Sequence, residues 1–221
     1  MFDSRAWVHR AQSFGQSLRA VPGAQVESLH LEPPLGVHEA DALGRVLRRP
    51  LPAALRAFLV TGSAGLDCRY TYAPGEDAET AELSALFPDQ TSIYGGARLC
   101  AAEQLADYAQ SCAEWASETW VSEEPAQAAV WRSALPFAAL DNGDYLALDV
   151  RQPADDPPVL YLSHDDESLE LAASFTEFLA VWERLCYLGP EIWLLAEFLT
   201  ESKHLNADGQ KAERLRRLLG H

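Results

Sequence analysis

The spacing of apolar side chains predicts helices near both ends of the chain. Residues 5–20 place their apolar side chains on one helical face. Near the other end, Ser174 and Glu177 form an S-x-x-E capping pattern, and residues 175–186 follow it with helical apolar spacing. The same periodicity predicts further helices at residues 37–49, 52–62, 102–120, 191–199 and 208–219.

Glycine and proline mark the expected ends of several of these segments. Gly62 is expected to cap the helix at 52–62 in the left-handed conformation that glycine adopts readily. Residues 73–90 mix proline, glycine and acidic residues. They are therefore predicted to form a loop, with one helical turn at residues 81–86.

Alternation of apolar and polar residues predicts half-buried strands. It is clearest in residues 66–72 and 144–150. In the second stretch, Tyr145 and Asp149 share the face opposite the larger apolar residues, and the DNG sequence ahead of it is typical of a hairpin turn. Further strands are predicted at residues 25–31, 95–100, 130–135, 159–164 and 168–172.

The chain carries a strong excess of negative charge. Seventeen lysine and arginine residues stand against 33 acidic residues, which gives a formal net charge of −16. Such a field repels phosphate backbones and anionic lipids, and it favours a cationic partner by steering the encounter. We therefore expect a protein partner, and neither a nucleic acid nor a membrane. A plainer interpretation is that the acidity only keeps the protein in solution.

Two features of the sequence predict a cytoplasmic protein. No apolar run approaches the roughly 20 residues that span a bilayer. Near the N-terminus, charged residues such as Asp3 and Arg10 occupy positions where a signal peptide needs its apolar segment.

The four cysteines form neither a metal-binding nor a redox pattern. Cys68, Cys100, Cys112 and Cys186 are far apart, and none lies in a C-x-x-C arrangement. Each is therefore expected to be a small buried hydrophobic residue.

Three aspartates around the DNG turn raise the question of metal binding. In a calcium loop the ligands recur at alternate positions and end in glutamate at the twelfth. Counting from Asp141, the third position is Gly143 and the twelfth is Gln152. We therefore predict a structural hairpin turn at Asp141, Asp144 and Asp149, with no metal and no cofactor.

His164 begins a second cluster of polar residues, which continues through residues 165–167. An adjacent His-Asp pair can contribute to a two-metal phosphohydrolase site, but such a site needs further histidines, and the nearest upstream is His38. The sequence also contains no G-x-S-x-G nucleophile motif. A solvated strand end or a contact with a partner is therefore favoured, and a hydrolase that uses His164 stays a remote alternative.

Two stretches follow the pattern of a known family. Residues 51–66 combine a leucine-proline helix start, an aromatic-leucine end and a glycine turn into a strand. Residues 143–179 combine a Gly-Asp-Tyr strand, a return strand and a Ser-Phe-x-x-Phe-Leu helix. In this order they resemble the SUKH superfamily over about residues 37–182. The matching positions are Leu51, Pro52, Phe58, Leu59, Gly62, Gly65, Leu66, Gly143, Asp144, Tyr145, Leu148, Asp149, Ser174, Phe175, Phe178 and Leu179.

The resemblance implies an α+β fold, in which a mixed, largely antiparallel β-sheet is packed by N- and C-terminal helices. It implies one domain over residues 1–221, with a family-like core at 37–182, and no enzymatic activity. It also implies an immunity protein, which binds and neutralises a toxin domain, often a nuclease. We therefore expect a basic toxin domain as the partner. An intracellular regulatory or scaffold role is the alternative.

The stretch from Asp141 to Glu170 indicates where a basic partner would bind. It contains only one arginine or lysine, Arg151, so its loops would focus a negative field if they gather at one end of the sheet. Its acidic residues are Asp141, Asp144, Asp149, Asp155, Asp156, Asp165, Asp166, Glu167 and Glu170. Tyrosine suits a binding surface because it buries area at little entropic cost. The predicted contact residues are Tyr70, Tyr72, Tyr145, Asp149, Tyr161, His164, Asp165 and Asp166.

Overall fold

The strands form two antiparallel sheets in the computed structural model, which describes residues 2–118 and 123–221. The first sheet has the order β1-β2-β3 and the second has the order β4-β5-β6-β7. The strands are β1 Ala24–Leu31, β2 Leu66–Tyr72, β3 Ile93–Leu99, β4 Leu135–Ala139, β5 Tyr145–Leu148, β6 Val159–Leu162 and β7 Leu169–Ala172. Just after β3, the N–H of Cys100 donates to the carbonyl of Phe137 in β4 at 2.7 Å, so the two sheets lie side by side.

Helices precede, separate and follow these strands, which confirms the predicted α+β class. Two of them continue as other helical turns: α3 runs into a π-helical turn at Phe58–Gly62, and α8 runs into a 3-10 turn at Ala196–Phe198. The helices are α1 Ser4–Leu18, α2 Val37–Val46, α3 Ala53–Ala57, α4 Asp77–Leu86, α5 Leu105–Trp115, α6 Pro125–Ser133, α7 Phe175–Arg184, α8 Ile192–Leu195 and α9 Gln210–Leu218.

The two terminal helix predictions are confirmed by specific contacts. At the start of α7, Ser174 Oγ accepts the N–H of Glu177 at 3.1 Å. The Glu177 carboxylate accepts the N–H of Ala173 at 3.1 Å, one residue earlier than an ideal capping box requires. The indole N–H of Trp7 in α1 donates to the carbonyl of Leu179 in α7 at 2.9 Å. This buried hydrogen bond joins the first helix to α7.

The second sheet is buried on both faces. Tyr161 and Leu146 face the large core that also contains α1 and α7. On the opposite face, Ala147 and Leu160 pack in a separate cluster with Trp131 of α6. Helices α5 and α6 therefore cover the face that simple alternation would leave open to solvent.

Several local predictions are wrong or need new limits. Residues 130–133 belong to α6 and not to a strand, since apolar residues in short runs fit either structure. The helix predicted at 102–120 begins at Leu105 and is described to Trp115, while its predicted end at Trp120 lies outside the described residues. The single turn predicted at 81–86 is part of the longer helix α4.

Gly62 is not the left-handed cap that was predicted. Gly62 does not have a positive φ. Ser63, which follows the π-helical turn, is extended. A Cβ atom at Gly62 would lie 3.1 Å from Cβ of Ser4 and 3.3 Å from Cγ2 of Val8. Close approach of α1 therefore explains this glycine.

All four cysteines are buried free thiols, as predicted. Burial raises the pKa of Cys68, Cys112 and Cys186 to about 12. It also raises the pKa of Cys100. Because the thiolate is the reactive form, these residues act as apolar packing groups.

We predict that Gly96→Ala destabilises the protein severely. Gly96 has a φ of +80°, and a Cβ atom there would lie 1.6 Å from the carbonyl oxygen of Cys68 on the neighbouring strand. The free energy of unfolding, measured by urea denaturation, should fall by at least about 3 kcal/mol.

Gly75→Ala is the matched control for this substitution. A Cβ atom at Gly75 meets no atom within 4 Å. Its effect should stay within about 0.5 kcal/mol. Equal losses for the two variants would show that the close approach of β2 and β3 is not the constraint.

Candidate functional site

The turn between β4 and β5 places one carboxylate inside the protein. Asp144 is only 3% exposed. Its Oδ2 atom accepts hydrogen bonds from the Tyr161 hydroxyl and, at 2.6 Å, from the Asn142 side-chain amide. Its Oδ1 atom accepts the backbone N–H of His164 at 2.8 Å and lies 2.6 Å from Nδ1 of the His164 ring. Asp144 therefore joins its own turn to β6 and to the start of the loop after β6.

The DNG sequence forms the hairpin turn that was predicted. The N–H of Leu140 donates to the carbonyl of Asp144 at 2.9 Å, and the N–H of Gly143 donates to Leu140 at 3.1 Å. Gly143 has a φ of +92°, a conformation that favours glycine. The Asn142 side chain accepts the N–H of Asp144 at 3.1 Å. These contacts hold the turn in a conformation that directs the Asp144 side chain into the protein.

Tyr161 donates to Asp144 from the middle of the core. Its side chain is fully buried, and burial raises the pKa of its hydroxyl, with the Asp144 hydrogen bond acting in the same direction. Tyr161 therefore remains a neutral donor. A donor of this kind satisfies a buried carboxylate, which would otherwise be costly to remove from water.

His164 lies between two carboxylates. Its Nδ1 atom faces Asp144 at 2.6 Å, and its Nε2 atom faces Oδ2 of Asp165 at 3.0 Å. The edge of the ring contacts Trp115, with ring centroids 6.1 Å apart. Within residues 2–118 and 123–221, no hydroxyl or thiol hydrogen-bonds to this ring. The arrangement fixes the orientation of the imidazole and presents Asp165 to solvent.

The nine acidic residues do not gather at one end of the sheet, so the condition for a negative field focused by all nine is not met. Tyr145 pairs with Leu162, which places the β4–β5 turn and the loop after β6 at one end. Leu148 pairs with Val159, so the β5–β6 loop lies at the other end. Sequence proximity is misleading here because each antiparallel strand reverses the chain.

Two acidic residues of the β5–β6 loop, Asp149 and Asp156, serve the fold. Asp149 forms an ion pair with Arg151 at 2.6 Å. Asp156 accepts the N–H of Thr176 at 3.1 Å, at the first turn of α7. The exposed acidic residues at the opposite end make up what we call the acidic end, and they are Asp141, Asp165, Asp166 and Glu167.

Three tyrosines of the predicted contact set lie in the core. Tyr70, Tyr72 and Tyr161 are 2%, 0% and 0% exposed. Tyr70 donates its hydroxyl to the carbonyl of Cys186 at 2.7 Å. All three side chains point into the large core, so a partner cannot reach these rings in this fold.

The remaining predicted contact residues are divided between the two ends. Tyr145 is half-buried, and its ring meets the edges of Tyr108 and Trp131. Asp149 lies at the far end with Arg151. Only His164, Asp165 and Asp166 lie together at the acidic end, where partner binding stays a prediction.

A polar cleft beside the acidic end was missed in the sequence. Its volume is about 310 Å³, and Glu191, Asp141, Arg69, Arg98 and Tyr108 are among its lining residues. Glu191 follows a Gly-Pro turn and has the sequence pattern of an ordinary helix start. No local signal could have revealed it, since its burial depends on segments that are distant in the chain.

Glu191 is a buried carboxylate with an unsatisfied atom. It is 7% exposed, and its Oε2 atom has no hydrogen-bond partner among the described residues. Burial raises the pKa of Glu191, and the negative charges of Asp141 and Asp144 add to this effect, which Tyr94 opposes by hydrogen bonding. Such a group is expensive to keep ionised without a cation nearby.

The arginines of the cleft are already engaged by other acids. Arg69 binds both oxygens of Asp67, at 2.8 and 3.0 Å. Arg98 pairs with Glu103 at 2.8 Å. Among the described residues, neither Glu191 nor the exposed Asp141 beside it takes part in an ion pair. The cleft therefore keeps an excess of two carboxylates.

A known protein family matches the region of the chain that contains the Asp144 network. The model of the SMI1 / KNR4 family (SUKH-1) matches residues 39–181, which is well over half of the chain. This chain belongs to the SUKH-1 family. A comparison with curated proteins finds none that matches it. The family match includes Asp144, Tyr161 and His164 and ends before Glu191.

Two further properties of this SUKH-1 chain concern metals and membranes. In the described part of the chain, no group of three or more histidine, cysteine or acidic side chains is placed to hold a metal ion. No described helix is both long and apolar enough to cross a membrane.

We predict that Asp144→Asn lowers the free energy of unfolding by about 2–4 kcal/mol. The asparagine amide would replace one acceptor oxygen with an NH2 group, so the buried donors on that side, from either Tyr161 or His164, would be left without an acceptor. Urea denaturation followed by tryptophan fluorescence measures the loss.

Asp165→Asn is the control for this substitution. The Asp165 side chain is 83% exposed, and among the described residues it pairs only with His164, at 3.0 Å. The loss should be below about 1 kcal/mol. If Asp144→Asn were as mild as this control, Asp144 would not hold the turn.

Glu191→Gln is expected to raise the free energy of unfolding at pH 7 by about 1 kcal/mol, because it removes a buried charge. The folded protein raises the pKa of Glu191, so ionisation costs stability at neutral pH. The gain should shrink as the pH falls through that raised pKa, because Glu191 then becomes neutral. Parallel urea denaturation at pH 7 and pH 4 tests this, with the exposed Glu213→Gln as a control that changes little. A loss of stability at pH 7 would contradict it.

Proposed function

We propose that this SUKH-1 chain is a non-enzymatic, protein-binding domain that neutralises a basic, nuclease-type toxin domain, as an immunity protein in the cell interior. The main support for this proposal is the acidic end. There Asp165, Asp166 and Glu167 are exposed next to His164, whose ring is held in one orientation. Membership of the family supports a protein partner.

A basic partner suits this surface for electrostatic reasons. A nuclease binds a polyanion and therefore presents a positive surface. Exposed carboxylates on a chain with a net charge of −16 attract such a surface and increase the rate of encounter. A protein that covers the nucleic-acid site in this way needs no bond-making chemistry.

The loop that carries these carboxylates is held in place before any partner arrives. Ser163 Oγ accepts the N–H of Asp166 at 3.1 Å. From α6, the Gln127 amide donates to the Asp166 carbonyl at 3.2 Å and to Ser168 Oγ at 2.9 Å. A pre-organised surface loses less conformational entropy on binding, which favours tight association.

The basic residues of the chain are concentrated elsewhere. Arg48, Arg49, Arg56 and Arg151 line a groove of about 1000 Å³, which we call the arginine groove. This groove includes the β5–β6 loop, at the opposite end of β5 and β6 from the acidic end. The charge asymmetry would orient an approaching basic protein toward the acidic end.

The proposal predicts that charge reversal at the acidic end weakens binding to a basic protein captured from the cells that make this chain. The double variant Asp165→Lys/Asp166→Lys should reduce the association rate constant by about tenfold or more at 50 mM salt. High salt should reduce the difference, because screening weakens long-range attraction. Stopped-flow or surface-plasmon measurements at several salt concentrations test this.

The matched control is Asp89→Lys/Glu201→Lys. It changes the net charge of −16 by the same four units, since each lysine replaces a carboxylate, but it does so at exposed residues outside the acidic end. It should reduce the rate less than twofold. Equal effects would show that total charge and not the acidic end governs binding. Capture of an acidic or neutral housekeeping protein would favour the regulatory or scaffold role.

A further inference from the structure

The cleft at Glu191 contains two carboxylates, Glu191 and Asp141, that form no ion pair with any described residue. Glu191 is more than nine-tenths buried, lines the cleft, and keeps its Oε2 atom without a hydrogen-bond partner among the described residues. Asp141 lines the same cleft from the β4–β5 turn. A carboxylate in such surroundings is stabilised by an opposite charge that brings its own donors.

The chain does not supply this charge from the cleft itself. Arg69 is occupied by two hydrogen bonds to Asp67, and Arg98 by Glu103. Moving either arginine to Glu191 would leave another carboxylate unpaired. A cation from another molecule would compensate Glu191 without breaking either of these pairs.

The lining of the cleft favours a guanidinium over an ammonium group. Guanidinium is planar, offers five N–H donors and stacks on aromatic rings, and it loses less hydration than ammonium on burial. Tyr108 provides an aromatic side chain in the lining, and Glu191 and Asp141 provide two acceptors. The cleft volume of about 310 Å³ is sufficient for one such side chain.

We propose that the Glu191 cleft receives one arginine side chain of the protein partner. This inference rests on the proposed function, since it names the anchor residue that a basic partner would insert beside the acidic end. Glu191 lies beyond residues 39–181, the range that the family model matches.

The test uses a small arginine probe and does not require the partner. The ¹⁵N-labelled protein is titrated with N-acetyl-arginine-amide while amide chemical shifts are recorded. We expect saturable shifts at Gly96, Ala97, Asp141 and Glu191, with a Kd of about 1–10 mM. N-acetyl-citrulline-amide, a neutral molecule of nearly the same shape, should give no saturable shift at these amides. N-acetyl-lysine-amide should bind at least about fivefold more weakly.

Glu191→Gln keeps the size of the side chain and should weaken binding of the arginine probe about tenfold or more. Glu213→Gln removes an exposed carboxylate from α9 and should bind the probe like the unaltered protein. The proposal is overturned if the shifts are absent, if they persist unchanged in Glu191→Gln, or if citrulline or lysine matches arginine. Failure here leaves salt-dependent binding at the acidic end intact, whereas loss of partner binding leaves the arginine titration unaffected. The two proposals therefore fail separately.

Discussion

A buried carboxylate must be surrounded by donors, and this requirement shapes the end of the second sheet. Asp144 receives donors from its own turn, from Tyr161 inside β6 and from His164 just beyond that strand. These groups are brought together only when β5 and β6 pair in the observed register. The turn and the loop after β6 are therefore fixed relative to each other, and the exposed carboxylates around them form one rigid surface.

The strands with the clearest alternation were predictable because their pattern directly reflects burial. In β2, Leu66, Cys68, Tyr70 and Tyr72 point into the core, as their spacing indicates. The second sheet was harder to predict, because α5 and α6 cover the face that carries Ala147 and Leu160. Short apolar segments such as residues 130–135 fit a helix or a strand equally well, and tertiary packing decides between them.

The candidate site was only partly predictable for a related reason. His164 and Asp165 are adjacent in sequence, so their cluster was visible, and the DNG pattern revealed the turn that carries Asp144. Asp149 and Asp156 were grouped with them by sequence distance, yet the β5–β6 hairpin carries them to the opposite end. The sequence around Glu191 did not indicate a buried or functional carboxylate, because the burial and the charged neighbours of Glu191 arise only in the folded chain.

Two carboxylates thus illustrate two roles for buried negative charge. Asp144 is saturated by internal donors and gives rigidity, whereas Glu191 is left unsatisfied beside an acidic surface and gives a place for a cation. Hydrogen–deuterium exchange of the chain, alone and bound to the basic protein that it captures, tests this account most directly. Binding should protect the amides of residues 140–145, 163–168 and 188–193. Protection confined to residues 48–56 and 150–156, in the arginine groove, would contradict it.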